Sequence, residues 1–358
     1  MKRLLVLLLL AFPTAAFGQT TDSLAADIDA MVQRVMALHP TPGLAIAVVR
    51  NDKPILVRGY GMADVERKRP VDQNTLFYVA STTKAFTALA TVLLAERGLL
   101  QLDAPISRYL PGVRWAQGID PDSVTLRHLM SHTHGIGSSG PVVLRTAYTG
   151  VHDNQLLMQI LQHHAASEQG RTFRYSNIGY NIAGLIVDEV TRGKWQDLLE
   201  EIVLEPAGMK STTSYVSRFD SARLAMPYAA HTAAPRRLHY AKTDANMQAA
   251  GGLVSTAADM AKWLEVQINR GHLDGTQLFH QAVISETQRI QVPIENHPDL
   301  VGYSLGWRVS AFGNDTVLHH GGGFSTFGTY ISVSPTARIG VAVMVNGAQA
   351  GHASIIIA

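Results

Sequence analysis

Ser81 and Lys84, three positions apart at the start of a predicted helix, form the sharpest local chemical signal in the chain. This spacing places the lysine ammonium one helical turn above the serine hydroxyl, on the same face. A serine hydroxyl is a weak nucleophile until a neighbouring base takes its proton, and a desolvated lysine can be that base. Taken alone, the pair is more typical of a helix-capping serine beside a solvated lysine, because Ser-x-x-Lys is common by chance.

Two later segments add polar groups to this pair. Tyr-Ser-Asn at 175–177 opens a second predicted helix, as a loop does where it points into a cleft. His-Gly-Gly-Gly at 320–323 leads into a strand predicted to begin near Gly328. Glycines beside a strand allow another backbone to approach closely, including that of an extended substrate. Together the segments offer a nucleophile, candidate bases and a surface for a substrate.

Helices and strands must bring these distant segments together. Apolar residues at helical spacing, each run followed by a glycine, predict three helices, at residues 82–97, 178–191 and 259–269. Pairs of short apolar runs predict β-hairpins near both ends of the chain, at residues 44–60 and 328–345.

Strands at both ends around a helical middle predict an α+β fold. One antiparallel sheet, flanked by helices, is built from both chain ends, and a mainly helical region is inserted between them. The sheet region is expected at about residues 25–85 and 300–358, and the helical region at about residues 86–299.

The three motifs, in this order, resemble those of the penicillin-recognising serine hydrolases, whose fold is called β-lactamase/transpeptidase-like. The sequence is most similar to the branch that holds class C β-lactamases, D,D-peptidases and β-lactamase-like esterases. The likeness extends from about residue 42 to residue 346. It is carried by the motif segments and by further ones at residues 80–86, 125–133, 173–180, 206–209 and 250–256.

The resemblance implies a role for each motif residue. Ser81 would be acylated by a carbonyl substrate, with Lys84 and Tyr175 sharing the proton transfers. Tyr175 would be general base toward Ser81 and then acid toward the leaving group. That role requires a phenol pKa well below about 10, and the charge of Lys84 would shift it in that direction. Asn177 would bind the substrate amide, and the backbone N–H groups of Ser81 and Gly323 would form the oxyanion hole.

The third motif departs from the usual Lys-Thr-Gly of such β-lactamases, because a histidine, His320, takes the place of the lysine. This weakens the expected anchor for the carboxylate of a β-lactam or a C-terminal D-alanine. His-x-Gly also occurs in D,D-peptidases, D-aminopeptidases and esterases of the family. Arg308, on the predicted preceding strand, could hold a carboxylate instead, or could equally be a surface arginine on an edge strand. The predicted substrate-binding residues are therefore Asn177, Arg308, His320, Gly322 and Gly323.

Composition excludes several other chemistries. The chain has 358 residues, 46% of them hydrophobic, 30 Lys and Arg against 28 Asp and Glu, and no cysteine. Disulfides, Cys-ligated zinc, iron–sulfur clusters and thiol nucleophiles are therefore excluded. The 15 histidines include no His-Glu-x-x-His, and no pair comes with carboxylates at ligand spacing, so no metal is expected. No cofactor is expected either, since phosphate loops and dinucleotide fingerprints are missing.

The first 18 residues are typical of a cleavable signal peptide. Lys2 and Arg3 precede an apolar run at residues 4–12, and a small-x-small pattern ends at Gly18. The run is too short to span a bilayer, so no stable membrane anchor is expected after cleavage. Cleavage also brings the formal net charge from +2 to zero, which removes any electrostatic case for binding nucleic acid. A periplasmic or secreted protein is predicted.

The remaining chain, residues 19–358, is predicted to be one β-lactamase-like hydrolase domain. Family members usually close with a helix on the sheet, and residues 351–358 resemble only its first two turns, so that helix could be truncated. A separate Gly-x-Ser-x-Gly match at 302–306 is rejected as a nucleophile elbow, because a strand rather than a helix is predicted after it.

Three functions remain open at this point. The leading hypothesis is an exported serine hydrolase acting through an acyl-enzyme on Ser81, with D-alanyl peptides or related amides, including peptidoglycan-derived ones, as substrates. The second is a β-lactamase-like esterase for small carboxylic esters, which needs no carboxylate anchor. The third is a non-catalytic penicillin-binding-like sensor or wall-binding module. Retention of Ser81, Lys84 and Tyr175 together argues against the third.

Overall fold

The computed structural model describes residues 21–39, 41–137, 154–163, 172–229, 235–239 and 242–347. The strands of this part are β1 (Gly43–Arg50), β2 (Lys53–Asp64), β3 (Arg69–Pro70), β4 (Phe77–Tyr78), β5 (Tyr228–Ala229), β6 (Arg236–Arg237), β7 (Val254–Ser255), β8 (His272–Leu273), β9 (Thr276–Gln277), β10 (Val292–Pro293), β11 (Leu300–Tyr303), β12 (Arg308–Phe312), β13 (Asp315–Phe324), β14 (Phe327–Ser334) and β15 (Ile339–Val345). The α-helices are α1 (Thr21–Leu38), α2 (Thr83–Glu96), α3 (Leu126–Met130), α4 (Asn154–His163), α5 (Asn177–Thr191), α6 (Trp195–Leu199), α7 (Gln248–Gly251), α8 (Ala257–Ile268) and α9 (Gln281–Gln288). The predicted signal peptide at 1–18 and terminal helix at 351–358 lie outside the described residues and remain predictions.

A nine-stranded sheet dominates the described residues, in the order β10-β11-β12-β13-β14-β15-β1-β2-β3. Every neighbouring pair in it is antiparallel. Its central seam joins the two ends of the chain, since β1 pairs with β15 and Leu44 lies opposite Val345. The predicted antiparallel sheet, built from both chain ends and flanked by helices, is therefore confirmed. Both predicted hairpins are part of it, as β1–β2 and β14–β15.

Side-chain size on the two faces of β1 decides what packs there. The larger side chains face α1 and form an apolar cluster of Val32, Val35, Leu44, Ile46 and Val48. On the other face, Ala45 and Ala47 belong to the main core. A Cβ atom at Gly340 of β15 would lie 3.1 Å from the Cβ of Leu264 in α8. Small residues on this face therefore let α8 lie close to the sheet.

Helix α2, which carries the serine–lysine pair, is buried along its length from Thr83 to Leu94. It begins at Thr83 rather than at Thr82, because the residues before it form a 3-10 turn, Ala80–Thr82. Phe86 stacks on Trp263 of α8, with ring centroids 3.7 Å apart. Packing on all sides thus fixes the start of α2. None of the described helices has the length and hydropathy that crossing a bilayer requires.

Candidate active site

Ser81 lies in the 3-10 turn immediately before α2. The preceding residue, Ala80, has a φ of +48°, in the left-handed region, which costs a residue with a Cβ about 1–2 kcal/mol. Thr82 holds the turn, since its Oγ1 donates to the Val79 carbonyl at 2.9 Å. Ser81 is only 8% exposed. A nearly buried hydroxyl on a strained backbone is typical of a site where the surrounding fold positions a reactive group.

Lys84 is fully buried, and its amine contacts three oxygen atoms. Its Nζ lies 2.6 Å from the Ala250 carbonyl, 2.8 Å from Asn177 Oδ1 and 3.2 Å from Ser81 Oγ. Burial lowers the pKa of Lys84 well below its usual range, and the charge of Arg308 acts in the same direction. A neutral amine has two N–H groups and one lone pair. The carbonyl and the amide oxygen can only accept, so the lone pair is left for the Ser81 hydroxyl.

Tyr175 lies above this amine, with its ring centroid 4.9 Å from Lys84 Nζ. Although 37% of the residue is exposed, burial around the hydroxyl raises the pKa of Tyr175 to about 12; a hydrogen bond with Ser81 and the charge of Arg308 offset part of that rise. The predicted fall of the phenol pKa below 10 is therefore wrong. That prediction treated Lys84 as a full charge, whereas its burial favours the neutral amine.

Asn177 is the first residue of α5, so the helix that packs behind the cleft positions its amide. Its Oδ1 accepts a hydrogen bond from Lys84. Its amide nitrogen makes no hydrogen bond to the rest of the described chain. Asn177 therefore orients the lysine on one side and keeps a donor free on the other, which fits the predicted contact with a substrate amide.

His320 is 1% exposed on β13 and is held by two contacts. Its Nδ1 lies 2.7 Å from the Gly321 carbonyl, and its Nε2 lies 3.3 Å from the Tyr303 hydroxyl. Burial lowers the pKa of His320 well below its usual value. The side chain is therefore neutral and cannot replace the missing lysine as a cation.

Gly322 and Gly323 follow on β13 and differ sharply in their surroundings. A Cβ at Gly322 would lie 2.3 Å from the Val79 carbonyl and 3.1 Å from the Ser81 nitrogen. A Cβ at Gly323 would meet nothing within 4 Å. The close approach that the glycine motif predicts is thus made at Gly322 by the chain's own Ser81 turn, and Gly323 borders open space.

We expect alanine at these two positions to have different effects, on stability at Gly322 and on KM at Gly323. Gly322→Ala should cost about 1–3 kcal/mol of folding free energy, because the new methyl group overlaps the Ser81 turn. Gly323→Ala should unfold at the wild-type temperature but raise KM, because its methyl group enters the space left for a substrate. Thermal unfolding and steady-state kinetics on both variants test this. A fully stable Gly322→Ala, or an unchanged KM in Gly323→Ala, would contradict it.

Arg308 begins β12, on the predicted strand before His320. Its guanidinium lies 5.6 Å from the centroid of the Tyr175 ring. Within the described residues it forms no ion pair and no side-chain hydrogen bond. The alternative of an edge-strand arginine remote from the site is not supported, because β13 and β11 flank β12 and the side chain reaches Tyr175. A cation without a partner at the cleft suits an anionic group of a ligand.

The histidines that could suggest a metal are engaged elsewhere. His132 Nδ1 accepts from the Ser176 N–H, and His134 Nδ1 accepts from the Ile136 N–H. Among the residues that the structure describes, no group of three or more His, Asp or Glu side chains could hold a metal ion.

The rejected motif at 302–306 supplies a residue that sequence reasoning missed. Ser304 is fully buried, and its hydroxyl donates to the Trp307 carbonyl, so it is no nucleophile. The hydroxyl of its neighbour Tyr303, however, is hydrogen-bonded to His320 Nε2, next to Tyr175. His132 Nε2 lies 3.1 Å from the same hydroxyl. The sequence placed Tyr303 only within the rejected motif, just before the strand predicted to follow it.

An antiparallel sheet with a buried serine–lysine pair beneath it defines a β-lactamase-like serine hydrolase fold. Residues 28–355 match the family model described as Beta-lactamase, and the chain belongs to this family. The resemblance stated from the motifs is thereby confirmed.

Known relatives share the fold at low identity. "Protein flp" of Staphylococcus aureus (strain MW2) is 25% identical over 323 residues, which cover 89% of this chain and 62% of that protein. The octameric penicillin-binding protein homologue from Pyrococcus abyssi superposes with a TM-score of 0.79 at 25% identity, covering 93% of this chain and 75% of the other. D-amino acid amidase from Ochrobactrum anthropi SV3 gives a TM-score of 0.74 at 22% identity, with 90% and 91% covered.

Other solved structures with this fold include class C β-lactamases and EstCE1, a hydrolase with promiscuous acyltransferase activity. The family and these neighbours are thus hydrolases with different substrates. The chain spans 62% of the length of "Protein flp", the curated relative described above.

Proposed function

We propose that this protein is an exported serine hydrolase that forms an acyl-enzyme on Ser81, with D-alanyl peptides or related amides as substrates. The contact between Lys84 Nζ and Ser81 Oγ at 3.2 Å, inside a buried site, carries the proposal. Export rests on the signal-peptide pattern at residues 1–18. A nucleophile within reach of a neutral base is the arrangement that covalent acyl transfer requires.

The acylation step follows from the positions of these groups. The Ser81 hydroxyl gives its proton to the Lys84 amine while Oγ attacks the substrate carbonyl carbon. The backbone N–H groups of Ser81 and Gly323 stabilise the resulting oxyanion. With a pKa of about 12, the Tyr175 hydroxyl stays protonated and acts as the acid that protonates the leaving amine. Lys84 returns its proton to Tyr175, and water then hydrolyses the ester on Ser81.

Arg308 supports the choice of substrate. Its guanidinium lies beside Tyr175 and has no acidic partner among the described residues. His320 is neutral, so among the described residues at the cleft Arg308 supplies a cation for the terminal carboxylate of a D-alanyl peptide. The fold is shared with a D-amino acid amidase, which is consistent with an amide of a D-amino acid as substrate.

An esterase for small carboxylic esters is the second candidate. The observation that favours it is the neutral His320 in place of a lysine, because a neutral ester requires no cation in the third motif. In that case Arg308 would be dispensable for turnover.

Incubation with a penicillin, followed by intact-mass measurement over minutes, tests the proposal, with Ser81→Ala as the matched control. We expect an adduct on the wild type only, with turnover of a D-alanyl-D-alanine peptide. Rapid loss of drug without an adduct would indicate a β-lactamase. Neither adduct nor drug loss, with hydrolysis of simple esters, would favour the esterase. An adduct that persists on Ser81→Ala, or catalysis that survives that change, would overturn the role of Ser81.

A further inference from the structure

We propose that Tyr303 is a positioning residue: through one directed chain of hydrogen bonds, its hydroxyl ties the loop of Tyr175 to the glycine segment of β13. This inference rests on the proposed function, because its consequence is the geometry of acylation at Ser81. Tyr303 lies at the end of β11 and is fully buried.

The chain of hydrogen bonds crosses the floor of the cleft in four contacts. The Ser176 N–H lies 3.2 Å from His132 Nδ1, and His132 Nε2 lies 3.1 Å from the Tyr303 hydroxyl. The same hydroxyl lies 3.3 Å from His320 Nε2, and His320 Nδ1 lies 2.7 Å from the Gly321 carbonyl. Both imidazoles are 1% exposed, so water cannot readily replace any of these contacts.

The groups at the two ends fix the direction of every bond. The Ser176 N–H can only donate, so His132 accepts at Nδ1 and, when neutral, carries its proton on Nε2. The Gly321 carbonyl can only accept, so His320 carries its proton on Nδ1 and accepts at Nε2. The Tyr303 hydroxyl therefore accepts from His132 and donates to His320. Because one hydroxyl can accept one hydrogen bond and donate another, Tyr303 satisfies both histidines at once.

Charge and burial keep both rings neutral. Burial is the largest cause: it lowers the pKa of His132 and of His320 well below the usual value, and nearby positive charges, Arg308 among them, act in the same direction. With both nitrogens of each ring engaged, neither imidazole has a free atom for a substrate. Their role is to hold Gly321, and with it the Gly322–Gly323 segment, at a fixed distance from the Ser176 backbone.

This geometry has a catalytic consequence. Tyr175 precedes the first group of the chain, and the proposed oxyanion donor Gly323 follows the last by two residues. A small change in the distance between the Tyr175 hydroxyl and the Gly323 N–H weakens stabilisation of the transition state more than it weakens binding of the substrate. Loss of the chain should therefore lower kcat while leaving KM nearly unchanged.

Tyr303→Phe tests the inference, because it keeps a ring against Phe173 and His132 and removes only the hydroxyl. We expect kcat to fall about tenfold with KM within about twofold of wild type. Tyr228→Phe is the matched control: the Tyr228 hydroxyl is equally buried but accepts from the Val65 N–H and donates to Glu66, outside the chain. That variant should lose similar stability and keep kcat within about twofold. Equal kcat losses in both variants, or no loss in Tyr303→Phe, would overturn the inference.

Nitrogen-15 spectra of the imidazoles provide a readout that does not depend on catalysis. In histidine-labelled wild type at neutral pH, we expect His132 as the Nε2–H tautomer and His320 as the Nδ1–H tautomer. Signals are assigned by their loss in His132→Gln and His320→Gln. In Tyr303→Phe, the His320 Nε2 signal should shift because it loses its donor. Identical tautomers, or a protonated ring, would overturn the chain even if Ser81 proves to be the nucleophile. Conversely, the expected tautomers in an inactive protein would leave the chain intact and reject the hydrolase.

Discussion

Replacing Lys84 with methionine is expected to slow acylation of Ser81 by about 10²–10⁴-fold, the range that loss of a general base covers. Methionine has a similar length and suits a site that is fully buried. The side chain would still fill its space, so the loss reports the missing lone pair at Ser81 Oγ rather than a cavity. The rate of penicillin adduct formation, or of ester turnover, measures it. Activity within tenfold of wild type would contradict the assignment of Lys84 as the base.

Lys242 provides the matched control for that experiment. It is a second buried lysine, 7% exposed, and burial lowers its pKa to about 7. Its amine donates to the backbone carbonyls of Ser214 and Thr243 and has no contact with Ser81. Lys242→Met should therefore keep acylation within about threefold of wild type. If both lysine variants lose activity equally, general damage to the fold, and not loss of the base, explains Lys84→Met.

The pH profile gives the same prediction a second readout. The amine must be neutral to accept the Ser81 proton, so kcat/KM should fall about tenfold per pH unit below the pKa of Lys84. The phenol of Tyr175, with a pKa of about 12, stays protonated at neutral pH. Tyr175→Phe should therefore slow the reaction but keep the acidic limb. Lys84→Met should lose that limb. If the acidic limb disappears in Tyr175→Phe instead, the base is Tyr175 and not Lys84.

Local patterns account for the parts of the fold that the sequence predicts well. The β1–β2 and β14–β15 hairpins follow from short apolar runs joined by turn residues, and each pair forms between neighbouring segments. The seam between β1 and β15 joins residues about 300 positions apart. It was predicted from the arrangement of strands at both ends, and the resemblance to the family agreed with it.

The charge states of the site depend on packing, and for this reason the predicted fall of the Tyr175 pKa was wrong. Spacing alone placed Lys84 beside Ser81, but the pKa of its amine is lowered by the surrounding core groups that bury it and by the charge of Arg308. Those groups come from segments far along the chain. Without them the lysine is an ordinary cation, and a cation would lower the Tyr175 pKa, as predicted. Burial reverses both conclusions, since desolvation penalises the charged form of each group.

Arg308→Ala should lower kcat/KM for a D-alanyl-D-alanine peptide by about 10- to 10²-fold. A charge-assisted, two-pronged hydrogen bond to a carboxylate contributes about 1.5–3 kcal/mol, and each 1.4 kcal/mol is tenfold. The guanidinium has no ion-pair partner among the described residues to keep it from a ligand, and it lies 5.6 Å from the Tyr175 ring centroid. Steady-state kinetics on the peptide and on a neutral ester measure the effect. Equal losses on both substrates would contradict carboxylate binding.

The neutral ester is needed as a second substrate because Arg308 also affects the pKa of Lys84, the proposed base. Its charge contributes to the lowered pKa of Lys84, so its removal lets that pKa rise and slows acylation at low pH. That effect reaches every substrate alike, since each is attacked by the same Ser81 hydroxyl. The ratio of peptide to ester turnover therefore isolates the carboxylate contact. Arg218→Ala is the control: it also stacks on a tyrosine, Tyr215, but is already paired with acidic side chains. It should change neither rate, and an unchanged ratio in Arg308→Ala would favour the esterase.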